Sequence, residues 1–542
     1  MDKYFYMQVD NEYEKHALKE GMTFLDVKKA VGNTEAICTL RNKELEPLGK
    51  TINHGDRIRL LASTHSESAS RVFLRGATFL LHVAACRMGL PFRVEHVLHG
   101  GIYCRMNDVT QAQIVKLQAI IDAFIKEDDE FTFTMVDIDR AKLLLRKENM
   151  TQQVRLLKFR PFDYFRLYWF KNHSCYFHGI MPPSASYLKG ARLVKYADGF
   201  IMKIPTPYKA GHRNIEDQQK YSSVFRAAER WAEQTKSAYI ADLNERYLAG
   251  DIKELIAANE KLHEERIEQI AQEIADHDRI RVVLIAGPSS SGKTTFAGRL
   301  EKQLHAKGKK SYAISVDNYY RDRSDIERDE HGNVDLESIN ALDVKKLGED
   351  LTTLLSGRTA KTPLFDFGTN KRIKETLDVR ITDELIIIEG IHGLNDALTA
   401  HVDENIKFKI FISPLTALNF DKRSVVLPED LRLLRRLARD KRTRGASFTE
   451  TFDMWHSVRD GEYKYILPYQ ETAHVMFNST LIYEPLVLKK YCYEDLQQIP
   501  PTEKSYIQAQ SMLKFLNYFL DLDDESAIPK HSLLREFIGH IE

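Results

Sequence analysis

Residues 280–295 read IRVVLIAGPSSSGKTT. An apolar run enters a glycine, the pattern of a buried strand. Gly287, four residues, then Gly292, Lys293 and Thr294 complete the phosphate-loop pattern G-x-x-x-x-G-K-[ST]. TTFAGRLEKQLHAKG follows as a predicted helix, with Phe296, Leu300 and Leu304 on one face and Gly308 as its stop. Strand, glycine loop and helix together form the context in which the pattern binds phosphate. The glycines let backbone N–H groups close around phosphate oxygens where a Cβ would intrude. The expected nucleotide-binding set is therefore Gly287, Ser289, Ser290, Ser291, Gly292, Lys293, Thr294 and Thr295. Lys293 is expected to reach the β- and γ-phosphates of ATP, and the Thr294 hydroxyl to ligate Mg²⁺.

Two more strands carry acids to the place such a loop needs them. SYAISVDNYYR delivers Asp317 to a strand's carboxyl end, the side on which open α/β sheets bind ligands. An ionised Asp there can accept a hydroxyl proton as the γ-phosphate leaves ATP. Asp-Asn is also ordinary turn chemistry, and both readings stand at this point. ELIIIEGIHGL ends an apolar run in Glu389, a Walker-B-type acid placed for Mg²⁺ or its waters; the alternative is a structural strand-end acid. Further on, LRLLRRLARDKRTRG at 431–445 puts Arg432, Arg435 and Arg439 on one helical face. In isolation such a run is a solvated basic face. After a phosphate loop it reads as a lid whose guanidinium groups clamp phosphate, with Arg435 and Arg439 catalytic and Arg444 on the nucleotide.

The rest of the chain bounds the context. Its 542 residues imply several domains, and 43% hydrophobic against 29% charged residues is an ordinary globular mixture. Lys+Arg and Asp+Glu both number 78, so no global field draws the chain to nucleic acid or membrane. Cys38, Cys86, Cys104, Cys175 and Cys492 form no C-x-x-C pair and read as reduced thiols. The start, MDKYFYMQVDNEYEKHA, lacks the apolar core of a signal peptide, and no run approaches a membrane span. A cytoplasmic location is expected.

Residues 1–64 read as a small α+β unit. KYFYMQV, AICTL and DRIRLLA are strand candidates, and TFLDVKKAVG is a helix with Thr23 and Asp26 at capping-box spacing. This order resembles the TGS domain, a β-grasp module. Residues 65–215 hold a helix in ATFLLHVAACRMG, a long helix in DVTQAQIVKLQAIIDAFIKED, and strands in HGGIYCRM and GFIMKIP. They resemble the additional domain of threonyl- and alanyl-tRNA synthetases. There the resemblance implies a metal-binding His-x-x-x-His on a helix and a later Cys-x-x-x-His. Here Arg75 and Phe79 stand at the first pair, and Cys175 and His178 are closer together than the second. Two ligands make no zinc site, so a scaffold without its metal is expected, with His82, His96 and His99 as satisfied polar groups. Residues 216–278 are rich in Ala, Glu, Leu, Lys and Arg, lack proline, and are expected to be a helical linker.

GPSSSGKTT, ISVDNYYR, PLFDFGTNKR, IIIEGIHGL and RLLRRLARDKRTRG, in that order, resemble the uridine kinase and phosphoribulokinase family. The resemblance covers about residues 280–480 and implies a phosphate-loop, parallel-sheet kinase domain, taken over 279–490, in a multidomain α/β chain; residues 491–542 read by themselves as a helical extension. It implies MgATP as donor, a hydroxyl on a nucleoside-like small molecule as acceptor, Asp317 as base and the arginines as lid. Asp335 matches the acid that holds the acceptor's ribose hydroxyls, and Phe365, Asn370, Arg372 and Arg432 complete the expected acceptor set. The family carries Tyr at the position of Phe365 and His at that of Asn370. Phe365 stacks without a hydroxyl to donate, and Asn370 hydrogen-bonds in a different geometry, which alters a pyrimidine pocket. Rival acceptors are a sugar phosphate, a vitamin or another polyol. A different class of reading is an RNA- or ribosome-associated ATPase switch, against which the balanced charge weighs. A homo-oligomer is the expected assembly.

Overall fold

A computed structural model describes residues 3–9, 12–98, 101–208, 218–328, 334–366, 369 and 371–540; His99 and Asn370 lie outside the described residues. The C-terminal half is built on a five-stranded parallel sheet. Its order is Ser311–Ser315, Leu385–Glu389, Val282–Ala286, Lys407–Ser413, Val475–Asn478. The three central strands are buried at every position, as continuous apolar runs covered on both faces require. Register matters most for the site: Glu389 pairs with Ser315 on one side and Ile285 on the other. The phosphate loop, Glu389 and the turn carrying Asp317 therefore leave the sheet at one level.

The helix Lys293–Ala306 starts at Gly292 and is followed by Gly308 at φ +79°, the stop read from the sequence. The stretch expected to be a linker is helical, as Gln219–Gln234, Ile240–Ala249 and Ile252–Ala275. Its last helix does more than connect. Ile267, Ile270 and Ile274 share the core of Leu300 and Leu304, and Glu264 takes Arg299 Nη2 at 2.6 Å and Gln303 Nε2 at 2.5 Å.

At the N-terminus a five-stranded mixed sheet runs Glu12–Ala17, Tyr4–Val9, Arg57–Ala62, Ala36–Arg41, Glu44–Glu46. The helix Phe24–Ala30 begins with the Thr23/Asp26 capping box read from the sequence. Glu12–Ala17 was absent from the expected strands. Its EYEKHA is almost wholly exposed, so no alternation marks it, and its charges suit a sheet edge. In the following region the first long helix spans Glu67–Arg87 and starts on the Ser66 cap, well before the apolar run that announces it. Four-stranded and three-stranded sheets complete this region. Among the described residues no helix is long and apolar enough to cross a membrane.

The arginine run forms the helix Pro428–Arg444, but it is no open lid. Arg435 is fully buried: Nε donates to Glu484 at 2.6 Å and Nη2 to the Ser479 carbonyl at 2.7 Å. Its Nη1 donates to the Ser290 carbonyl at 3.4 Å. Arg432 donates through both terminal nitrogens to Glu462 at 2.6 and 2.8 Å, and through Nε to the Ser289 carbonyl at 3.1 Å. Buried cations without partners are prohibitively costly, and these two find theirs in acids and loop carbonyls. The expected catalytic role of Arg435 and acceptor role of Arg432 give way to bracing the loop. Arg435→Met leaves Glu484 buried and uncompensated and is expected to cost about 3–5 kcal/mol in urea unfolding, with much of the loss restored by Arg435→Met/Glu484→Leu. A single variant as stable as wild type would contradict the bracing role.

Candidate nucleotide and acceptor site

The phosphate loop is held in a form that only its glycines permit. A Cβ on Gly287 would lie 2.1 Å from the Ile412 carbonyl oxygen, and Gly292 sits at φ +89°. Within the loop Ser290 adopts φ 60°, a left-handed conformation costly for serine. The Oγ atoms of Ser290 and Ser291 are buried with no hydrogen-bond partner among the described residues, polar groups that an anion in the loop would satisfy. Lys293 Nζ donates to the Gly287 and Pro288 carbonyls at 3.0 and 3.2 Å. Burial lowers its pKa, and Glu389, Asp317 and Glu536 oppose the fall.

Glu389 lies at the strand end, takes a hydrogen bond from Ser315 Oγ at 2.8 Å, and is pushed up by burial and by the charge of Asp317. Asp317 stands in the turn after Ser315 and is itself raised by burial, with Lys293, Arg444 and Arg439 pulling the other way. One lysine thus faces two strand-end carboxylates. That donor set fits Mg²⁺, which favours carboxylate and hydroxyl oxygens. Arg439 donates to Asp440 through Nε and Nη2 at 2.9 and 2.7 Å and adds positive charge near Lys293 and Asp317. Arg436 donates from Nη1 to Ser289 Oγ at 2.8 Å, a loop contact not singled out from the sequence.

Beside Asp317 lies a second acidic group. Asp335 accepts from Tyr465 Oη at 2.9 Å. Glu337, two residues on, is pushed up to about 7 by burial, with Asp335 and Asp317 adding to the rise. His392 is 1% exposed and falls to about 4 through burial. Glu337, His392 and Tyr465 were not singled out from the sequence, because nothing local links positions so far apart. Phe365 approaches Tyr320 with ring centroids 5.8 Å apart, on a hairpin that pairs it with Arg372. Arg372 is engaged structurally: Nε and Nη2 donate to the Tyr320 and Tyr319 carbonyls at 2.9 and 3.2 Å, and Nη1 to Asp343 at 3.2 Å. It fixes the turn that carries Asp317.

The C-terminal segment reaches this site. Glu536 accepts from Thr295 through the backbone N at 3.3 Å and Oγ1 at 2.7 Å. A Cβ on Gly292 would lie 2.6 Å from Leu533. Arg442 Nη2 donates to the Glu536 carbonyl at 2.7 Å. A carboxylate therefore occupies the first turn of the loop's helix, where free N–H groups and the helix dipole favour an anion.

In the front half the four residues at the synthetase metal positions do not converge as ligands. Arg75 Nε donates to the Ile180 carbonyl at 2.9 Å, and Phe79 stacks among Phe131, Phe170 and Phe177. Cys175 is buried beside Gln153 Nε2 at 3.6 Å, and His178 Nδ1 lies 2.8 Å from Tyr518 Oη. His96 Nδ1 lies 2.7 Å from Glu229, while its Nε2 is buried with no hydrogen-bond partner among the described residues, so the expectation of a satisfied polar group holds for one nitrogen only. His82 departs from that expectation: it gathers with Cys86 and His173, their ligand-type atoms all within 4.8 Å.

The Phosphoribulokinase / Uridine kinase family model matches residues 282–482. A uridine kinase of Ligilactobacillus salivarius is 31% identical over 197 residues, 36% of this chain and 83% of the relative. That of Proteus mirabilis is 31% identical over 198 residues, 36% of this chain and 85% of the relative. That of Ureaplasma parvum is 28% identical over 195 residues, 36% of this chain and 86% of the relative. All three matches span little more than a third of the chain, the length of the parallel-sheet unit. With its phosphate loop and strand-end carboxylates, the chain belongs to the Phosphoribulokinase / Uridine kinase family and is an ATP-dependent phosphotransferase acting on a hydroxyl.

Proposed function

We propose that the chain transfers the γ-phosphate of ATP to a hydroxyl of a nucleoside-like polyol. The observation that carries this reading is the strand register that sets Lys293, Glu389 and Asp317 at one sheet edge. Loop N–H groups with Ser289, Ser290, Ser291 and Thr295 hold the phosphates. Thr294 and Glu389 hold Mg²⁺, which when bound neutralises developing charge on the phosphates. Asp317, ionised, takes the acceptor proton. Arg439 and Arg444 supply charge to the transferring group. Asp335, with Glu337 beside it, accepts hydrogen bonds from acceptor hydroxyls, and Phe365 offers a stacking face. Supporting a polyol acceptor, Asp335 and Glu337 lie beside the base, carboxylates able to accept hydrogen bonds from its hydroxyls.

We assign the front 1–64 to a β-grasp unit and 65–215 to a synthetase-like module. The supports are the parallel pairing of first and last strands in the N-terminal sheet and the motif order. Five unpaired cysteines, four of them buried, suit the reducing cytoplasm.

The test is ADP release across nucleosides, sugars and vitamins. Release should depend on the acceptor, and Asp317→Asn should abolish it while leaving ATP affinity within a few-fold, because the amide keeps the shape and removes the proton acceptor. Release that no acceptor stimulates would overturn the reading.

Uridine itself should be a poor acceptor, since Phe365 lacks the family's hydroxyl. Phe365→Tyr with Asn370→His is expected to raise kcat/KM for uridine by roughly three- to tenfold, one hydrogen bond's contribution of about 0.5–1.5 kcal/mol. Efficient uridine phosphorylation by the wild type with no gain in the double variant would refute the altered pocket.

Glu536 must leave Thr295 for a phosphate to take its place. Glu536→Ala should therefore lower the KM for ATP by roughly tenfold or more, on the ~1.5–3 kcal/mol scale of a hydrogen bond to a charged group. An unchanged or raised KM would show that the segment helps build the nucleotide pocket instead of closing it.

A further inference from the structure

A cavity of about 980 Å³ lies where the front sheet, the helix Glu67–Arg87, the segments 160–166 and 176–180, the loop 420–430 and the helix Tyr506–Leu516 meet. No phosphate-loop residue lines it. Its size suits a small organic ligand.

The charges on its walls do not balance. Lys50 pairs with Glu46 and Arg71 with Asp430. Lys43, Arg75, Arg160, Arg166, Arg423 and Lys514 then face only Glu44 and Asp163. Among the described residues, Arg75, Arg160, Arg166 and Lys514 have no carboxylate within ion-pair distance, in contrast to the buried arginines around the phosphate loop. Arg75 spends Nε on the Ile180 carbonyl, Arg160 meets Tyr176 Oη, and Arg166 reaches Tyr168 Oη at 3.4 Å. Burial brings Arg75 down to about 10, and no carboxylate opposes the fall. Burial also lowers Lys514; Glu44 resists, while Arg166, Arg75 and Arg160 push it further. Gathering like charges in a partly desolvated space costs energy that an anion would recover.

The mouth is aromatic. Phe162 and Tyr164 line the cavity and are 50% and 66% exposed. Arg160 lies 5.2 Å from the Phe162 ring centroid. Exposed rings beside unpaired cations are the surface on which bases stack while phosphates are neutralised. An inorganic anion would need the cations and not the rings, whereas an apolar ligand would need the rings and not the cations.

We propose that this cavity is a second, non-catalytic binding site, and that its ligand is a free mononucleotide. The phosphate lies among Arg75, Arg160, Arg166 and Lys514, and the base on Phe162 or Tyr164. The cavity's volume of about 980 Å³ suits a single nucleotide, which favours a free nucleotide over a continuing strand.

Isothermal titration of the full chain with UMP, AMP, pyrophosphate and a short single-stranded oligoribonucleotide tests it. Lys514→Glu and Arg160→Glu serve as separate variants, each checked for folding by circular dichroism. Neither residue touches the phosphate loop, so whatever binding they remove reports the cavity. At least one mononucleotide should bind the wild type, more tightly than pyrophosphate and less tightly as salt rises. Each variant should weaken it about tenfold, the loss of one charge-assisted contact. The proposal is overturned by binding that neither variant alters, by no mononucleotide binding at all, by pyrophosphate binding as tightly, or by binding of the oligoribonucleotide alone. Should one variant fail to fold, the other decides.

Discussion

The structure depends on a constraint of parallel sheets: every strand must finish at the same edge, so whatever stands at the strand ends is forced together. Glu389 is registered against Ser315 and Ile285, and the phosphate loop begins two residues past Ile285. Lys293 then cannot avoid Glu389 and Asp317. Burial makes each carboxylate reluctant to ionise, and the lysine offsets part of that cost. A site of this kind is strained in charge until substrate arrives, and a cation between the carboxylates would relieve it. Stability is sacrificed locally for chemistry, which is why the surrounding bracing has to be strong.

That bracing comes from arginines. Arg432 and Arg435 reach the carbonyls of Ser289 and Ser290 while their charges are met by Glu462 and Glu484. These contacts fix the loop's backbone through its carbonyls, the side away from the phosphate. Ile252–Ala275 packs the other side of the loop's helix, and the C-terminal segment brings Glu536 to its first turn. Regions outside the family's matched span therefore build and border the kinase site.

How much of this could be read from the sequence follows the range of the interactions. The phosphate loop, its helix and the Thr23 capping box are local: the residues that determine them are neighbours, and all stand where the spacing puts them. The arginine run was visible as charge, but its meaning was not. Helical spacing locates Arg435 on a face; only the fold brings Glu484, 49 residues later, onto that face. Glu536 is 241 residues from Thr295, so no pattern could join them. The strand Glu12–Ala17 was missed because its exposed, charged side chains give no alternation. In the front module, sequence comparison directed attention to Arg75 and Phe79, while the close His82–Cys86–His173 group formed a turn further along the same helix, completed by a distant strand.

The central claim is that the phosphate loop and the strand-end carboxylates act as one phosphoryl-transfer site. Turnover of purified Lys293→Ala, measured with its best acceptor alongside thermal unfolding, tests it most directly. Loss of a charged donor to the transferring group should lower kcat by a factor on the order of 10²–10³, as for removal of an oxyanion donor, with the unfolding transition preserved. Near-wild-type turnover in a folded Lys293→Ala protein would contradict the claim.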